Sequence, residues 1–312
     1  MPERALELED LLIFKTVVQE GGILKAARKL HRVPSNVTTR IKQLEASLGA
    51  ELFHRDRQRL YLSPSGYLLL DYAERLLRLS QEARSAMAGG PPTGVLRLGA
   101  LESTTASRLP AVLAAYHQRW PDVRIELVTG TNDALVAALA ARKLDAAFVV
   151  EAPADRGIDS MPLFKERLVL VSAIGRAPIM RAQDVQHDSV IAFPHGCAYR
   201  RVLARWLGDR RMATIRVLEL GSYHAIVACV AAGTGIALVP EAVLATLQAA
   251  PVSRHALPRV HAELVTPLVW RSGEVSPALA ALHVQLRAQA SSARRVARRD
   301  GAVSRAAAAV PA

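Results

Sequence analysis

Ser35, Asn36, Thr38, Thr39 and Arg40 crowd short hydroxyls, an amide and a guanidinium into the stretch just after Pro34. On one helix face such side chains are small enough to enter the major groove of a duplex, where Ser, Thr and Asn reach base edges and Arg reaches guanine or phosphate. Arg55, Arg57 and Arg59 alternate with Asp56 and Gln58, and with Arg32 they supply charge that suits phosphate. In an arbitrary protein the first group is more often a solvated helix face, and the second is as often a solvated loop as a DNA-binding wing. The elements around them decide.

Further along, polar residues gather at four places: Ser103 and Thr104; Thr129 and Thr131; His195, Cys197 and Tyr199; Ser222, Tyr223 and His224. Each group follows a strand-like run, the position where open α/β sheets bind ligands and where helix N-termini leave N–H groups unpaired. Helix capping explains each Ser and Thr equally well. Hydroxyls and helix ends favour an anion or zwitterion, whereas Glu102 and Glu219 at the same rims suit an amine. The histidines and the two cysteines, Cys197 and Cys229, form no nucleophile, base and orienter set and no metal-ligand spacing, so neither catalysis nor a metal or cofactor is predicted. Gly233-Thr234-Gly235 is too short for a nucleotide fingerprint.

The elements that must position these residues follow from periodicity. Leu8, Leu11, Phe14 and Val17 predict one helix face that stops at Gly21-Gly22, and Ala26, Ala27 and Leu30 predict a short second helix. Pro34 suits a first helical turn, and Val37, Ile41, Leu44 and Leu48 predict a third helix, closed by Gly49, whose other side carries the hydroxyls. A hairpin with a basic tip fits residues 51–62. Ser63-Pro64 opens a long helix to about Ala88, with Leu69, Leu76, Ala83 and Met87 near heptad spacing and in need of a partner. The run Gly89-Gly90-Pro91-Pro92-Thr93-Gly94 is a linker. Beyond it, strand-like and helical segments alternate: strands at 95–99, 123–128, 146–150, 168–173, 190–193, 215–220, 236–239 and 264–270, and helices at 103–119, 133–141, 199–207, 222–232 and 277–288. That alternation predicts β-α units on a parallel sheet.

The net charge of +12 points to a polyanion partner, and its distribution sharpens the point. Residues 25–62 hold nine basic and three acidic residues, and residues 287–312 hold six and one. The Ala- and Arg-rich tail at 291–312 lacks apolar periodicity and is expected to be disordered. The acidic N-terminus is unlike a signal peptide, and no apolar stretch reaches membrane-spanning length, so the sequence predicts a soluble cytoplasmic protein away from membranes.

The motifs LxxLxxFxxV at 8–17, AARKLH at 26–31, PSNVTTRIKQLEASLGAELFHR at 34–55 and SPSG at 63–66, in this order, resemble the LysR-type transcriptional regulators. The likeness extends more loosely to about residue 290. LESTTASRLP, CAYRR and SYHAIVACVAAGTGIALVP add a resemblance to the PtrR branch, linked to putrescine and amino-acid metabolism. Gly22 stands where the family usually has Ser, and Thr38-Thr39 where it often has Ser-Arg. The resemblance implies an α/β protein with an N-terminal winged helix-turn-helix and a two-lobed, periplasmic-binding-protein-like (type II) effector domain. The expected division is a DNA-binding domain at 1–63, a dimerisation helix at 64–88, a hinge at 89–94 and an effector domain at 95–290. In that domain lobe I covers 95–163 and 267–290, and lobe II covers 164–266. The implied partners are a double-stranded DNA operator, a small-molecule effector such as an amine, amino acid or carboxylate, a homodimer or homotetramer, and RNA polymerase. The rival readings are a solute-binding protein, an α/β enzyme and a purely architectural DNA binder.

Overall fold

The computed structural model describes residues 5–56, 59–88, 90–185, 188–247 and 251–290, in two compact units that divide between Gly90 and Pro91. Arg57 and the tail at 291–312 lie outside the described residues.

The first unit contains α1 (Leu8–Glu20), α2 (Ile23–Lys29), α3 (Pro34–Leu48), the hairpin β1 (Phe53–Asp56) and β2 (Arg59–Leu62), and α4 (Pro64–Ala88). Leu11, Ile13, Phe14 and Val17 of α1 pack with Ala26 and Ala27 of α2 and with Val37, Ile41 and Leu44 of α3. Leu8, expected on the same face, is exposed, and so is Leu48 at the far end of α3. Gly21 and Gly49 end α1 and α3 in the left-handed conformation, φ 69° and 61°, which costs glycine little. His31, at φ 53°, turns the chain from α2 into α3. The SPSG motif has a specific geometry. Ser63 Oγ accepts from the Gly66 N–H at 2.9 Å and donates to the Glu51 carbonyl at 2.6 Å, fastening α4 to the start of the hairpin. Leu69 and Ala73 of α4 belong to this core, so Leu69 is not part of an outward stripe.

The second unit contains β3 (Gly94–Ala100), α5 (Glu102–Ser107), α6 (Leu109–Arg119), β4 (Val123–Thr129), α7 (Asn132–Ala140), β5 (Ala146–Phe148) and β6 (Ile158–Ala173). It continues with β7 (Val190–Ala192), α8 (Ala198–Leu207), α9 (Asp209–Met212), β8 (Val217–Glu219), α10 (Tyr223–Ala231) and β9 (Ile236–Pro240). The last elements are α11 (Glu241–Thr246), β10 (Val252–Ala256), α12 (Arg259–Ala262), β11 (Glu263–Arg271) and α13, residues 277–290.

The strand order is β4-β3-β5-β11-β6-β9-β7-β8, with β10 on β6. β3 runs parallel to β4 and β5, and β7 runs parallel to β8 and β9. β6, β10 and β11 are antiparallel, so the sheet is mixed rather than parallel throughout. Long strands β6 and β11 pair from Arg167↔Glu263 to Ile158↔Arg271 and pass from one half of the unit to the other, with a register shift between Thr266 and Pro267. Proline has no N–H for the ladder, which explains a break at that point. The single helix expected at 103–119 is two, parted at Arg108, because Pro110 has no N–H with which to continue the helical ladder.

Candidate functional site

In the first unit α3 is sorted by face. Val37, Ile41 and Leu44 are buried, while Pro34, Ser35, Asn36 and Thr39 are exposed near the helix N-terminus. Thr38 is half-buried and its Oγ1 donates to the Pro34 carbonyl at 2.9 Å, so this hydroxyl is occupied by its own helix. Arg40 does not stand free. Its guanidinium bonds Glu9 at 2.7 Å and lies 3.1 Å from Asp10 and 3.6 Å from Glu7, all at the start of α1. Arg32 pairs with the other oxygen of Glu9 and bonds Asn36 Oδ1 at 3.3 Å. Arg55 and Arg59 belong to β1 and β2, in the register Arg55↔Leu60 and Asp56↔Arg59, which places them beside the hairpin's end.

In the second unit the turns after β3, β7 and β8 converge. Ser103 Oγ lies 3.4 Å from the Tyr199 hydroxyl, although the two residues come from opposite halves. The Tyr223 N–H donates to Glu102 Oε1 at 3.4 Å, and the Tyr223 ring lies 4.8 Å from that of Phe193. Thr266, at the register break, sits by the Tyr199 hydroxyl. Burial pushes both tyrosine hydroxyls well above their usual range, so they stay protonated donors. Burial also raises the Glu102 carboxyl, against the lowering effects of the Tyr223 N–H and His224. Glu102 Oε2 and Thr104 Oγ1 are buried without a hydrogen-bond partner among the described residues.

Ion pairs tie the halves together around this cleft. Arg108 holds the buried Glu166 through Nε at 2.8 Å and a second bond at 3.2 Å. Arg201 of α8 reaches Asp133 of α7 at 3.0 Å and Glu151 at 2.6 Å. Within one half, Arg200 pairs with Glu219 and holds that carboxyl below its usual range. Asn132 is buried and accepts from the N–H groups of Val150 and Glu151 at 3.0 and 3.1 Å, which fixes the loop carrying Glu151.

Ser103, Cys197, Tyr199 and Tyr223 are therefore buried around the half-buried Glu102 at the meeting of the two halves, and Thr104 is buried next to Ser103 in α5. Thr131 caps α7 by accepting from the Ala134 N–H at 3.4 Å, and a Cβ at Gly196 would lie 3.0 Å from its hydroxyl, which sets it at the rim. Thr129, His195 and His224 are exposed, with His195 3.3 Å from Arg200. Ser222 precedes α10 without a side-chain cap bond. Arg108, Asn132, Glu166, Arg201 and Thr266 were not singled out in the sequence. Thr266 carried a signal in Thr266-Pro267 inside an apolar strand, and Arg108 and Arg201 lie in the motifs LESTTASRLP and CAYRR, which carry the resemblance but do not show what the arginines pair with. A groove of about 500 Å³ opens beside His195, Arg200 and Arg201.

One side-chain pair has the look of a catalytic dyad. Ser172 Oγ and His255 Nε2 are 2.8 Å apart and buried. His255 Nδ1 accepts the Ile179 N–H at 3.1 Å, which leaves the ring proton on Nε2. The imidazole is thus a donor to Ser172 and has no lone pair with which to activate it. Burial raises the Cys197 thiol, which keeps it from being a ready nucleophile. Among the described residues no cluster of His, Cys, Asp or Glu could hold a metal, and no helix is long and apolar enough to cross a membrane.

Comparison with known proteins joins both units to one family. The bacterial regulatory helix-turn-helix family of LysR type matches residues 8–67, and the LysR substrate binding domain matches residues 89–291. The HTH-type transcriptional regulator GltR of Bacillus subtilis is 33% identical over 285 residues, covering 90% of this chain and 96% of that protein. HTH-type transcriptional regulator SoxR of an Arthrobacter species is 33% identical over 269 residues, covering 86% and 91%. Full-length CbnR, solved in complex with its target DNA, superposes with a TM-score of 0.65 at 22% identity, covering 90% of this chain and 99% of that one. A full-length OxyR from Pseudomonas aeruginosa gives 0.68 at 19%, covering 91% and 95%. These two structures speak to the fold, and the sequence relatives speak to descent. The chain belongs to the LysR family of transcriptional regulators, with a DNA-binding helix-turn-helix and an effector-binding α/β domain.

Proposed function

We propose that this regulator acts in the cytoplasm, without catalysis, as a homodimer or homotetramer that reads an operator with α3 and answers to a small molecule held between the halves of its second unit. The observation that carries the reading is the sorting of α3: Ser35, Asn36 and Thr39 face outward over a base of buried Val37, Ile41 and Leu44. In this reading Ser35, Asn36 and Thr39 contact base edges, and Arg55, Arg57 and Arg59 contact phosphate or the minor groove. Pro34 and Thr38 shape the helix start, and Arg32 and Arg40 set its angle through Glu9. Residues 1–63 form the DNA-binding domain, 64–88 the dimerisation helix, 89–94 the hinge and 95–290 the effector domain. The division at Gly90 and the register shift at Thr266 support these limits and the lobes at 95–163 with 267–290 and at 164–266.

Ser103, Thr104, Tyr199 and Tyr223 line the effector site, with Cys197 packed beside them and Thr129, Thr131, His195, Ser222 and His224 at its rim. Effector binding alters lobe closure, and that equilibrium is linked to DNA affinity. RNA polymerase is a further partner of the DNA-bound form.

Fluorescence anisotropy with duplexes tiled across the DNA upstream of the chain's own gene tests the reading. Ser35→Ala and Thr39→Ala are expected to lower the ratio of specific to non-specific affinity by about 1–3 kcal/mol per lost base contact. Unchanged ratios in both variants would displace α3 from the groove.

A further inference from the structure

The charges around the cleft do not balance evenly. Each arginine placed there is already matched by a carboxylate of the same chain: Arg108 by Glu166, Arg200 by Glu219, and Arg201 by Asp133 and Glu151. Glu102 has no such match. Its Oε1 accepts one long bond from the Tyr223 N–H, and its Oε2 is buried without a hydrogen-bond partner among the described residues. His224, exposed and next to Tyr223, acts on it only through space. Tyr199 and Tyr223 offer hydroxyls, and Phe193 an aromatic wall against Tyr223. A buried carboxylate oxygen with no partner is costly, and it persists where a ligand completes it. An anionic ligand would have to displace an internal ion pair to find a counter-charge. A cation finds one waiting.

We propose that the effector carries an ammonium group and that Glu102 is its counter-ion. The assignment rests on reading the cleft between the halves as the effector site. It separates the two ligand classes that residue types at the rims leave open, since Glu219, the other candidate partner for an amine, is taken by Arg200.

The test uses the full-length protein in calorimetry and thermal unfolding. The probes are primary amines and α,ω-diamines of three to six carbons, beside the alcohols, diols, carboxylates and dicarboxylates of the same lengths. At least one amine is expected to bind and raise Tm, with its oxygen analogues silent, and Glu102→Gln is expected to weaken that amine tenfold or more. Without ligand, Glu102→Gln is expected to unfold no earlier than the parent protein, because a desolvated charge has been removed; a purely structural carboxylate would give a lower Tm. If carboxylates or alcohols bind, weaken with Ser103→Ala, and amines do not bind, the cleft reading stands and the ammonium assignment fails. If an amine binds and both Glu102→Gln and Ser103→Ala leave its affinity unchanged, the ligand sits elsewhere and both fail. If no amine of the series binds, the ammonium assignment is overturned.

Discussion

The guanidinium of Arg40 donates to Glu9 at 2.7 Å, so an arginine on α3, the helix proposed to read DNA, is held by a carboxylate of its own chain. The same carboxylate pairs with Arg32. The arrangement fixes the start of α3 against α1, and it also withholds two positive charges from solvent and from phosphate.

Glu9→Gln is therefore expected to release Arg32, while Arg40 keeps Asp10 at 3.1 Å and Glu7 at 3.6 Å. Binding to an unrelated duplex should tighten, and the slope of log affinity against log salt should steepen by up to about one, since each additional phosphate contact contributes about one. Arg40→Ala should leave the slope unchanged while loosening α3. A slope that falls by about one in Arg40→Ala would instead mean that Arg40 leaves Glu9 for phosphate when DNA binds. Anisotropy titrations at several salt concentrations separate the two outcomes.

Gly66 explains why the turn into α4 tolerates no side chain. A Cβ there would lie 2.2 Å from the Leu52 carbonyl oxygen and 2.7 Å from a methyl carbon of Leu62. Backbone is on one side of the clash, so the helix must shift. Gly66→Ala is expected to cost about 1–3 kcal/mol, the range for overpacking, and to weaken DNA binding by tilting the hairpin. Urea unfolding of the first unit within the full chain measures the loss. Gly22→Ala is the comparison, because no atom lies within 4 Å of a Cβ there.

Local signals made much of the first unit legible. Pro34, Gly49, Ser63-Pro64 and the spacing of Val37, Ile41 and Leu44 all act within a few residues, and each element appears where they place it. The second unit was less so. β6 is a 16-residue strand, of which only the apolar end, residues 168–173, stood out. Its first half, Ile158–Arg167, contains Pro162 and several polar residues and is held by pairing with β11, a contact far away in sequence. β10, α11 and α12 are short and depend on the same packing. The cluster of Ser103, Tyr199 and Tyr223 at the candidate site was reachable by the rule that ligands gather beyond strand ends. The partners of Arg108, Arg200 and Arg201 were not, since an arginine's counter-ion is chosen by the tertiary fold and leaves no mark in spacing.

The buried histidines predict a stability that falls on acidification. Burial holds His255 below its ordinary value of 6.5, and burial likewise lowers His283, which packs against Trp270 at 4.2 Å. Both are neutral in the fold. Below pH 6.5 the unfolded chain takes up protons that the folded chain refuses, so stability declines as pH falls from the ordinary value toward the depressed ones, and no histidine-linked change is expected above it. His255→Asn should flatten part of this decline between about pH 7 and 5, at the cost of lower stability at pH 7 through the lost bonds to Ser172 and Ile179. Thermal unfolding across that range, for both proteins, gives the comparison. An equally steep decline in the variant would assign the effect to other groups.

The outward face of α4 argues for a second copy of this chain. Leu68 and Leu79 are 62% and 61% exposed, and with Tyr72 and Leu76 they form a stripe at spacings of four, four and three, while Leu69 and Ala73 turn inward to the core. Burying one leucine stabilises by about 1.5–3 kcal/mol. In a two-fold interface every residue occurs twice, so replacing one leucine should cost the dimer about 3–6 kcal/mol. Since 1.4 kcal/mol is a factor of ten, Leu79→Glu should weaken self-association by at least two orders of magnitude. Sedimentation equilibrium should then show monomer at concentrations where the parent chain is dimeric or larger, with the helical circular dichroism of both proteins the same. An unchanged mass for both Leu68→Glu and Leu79→Glu would move the interface to another surface.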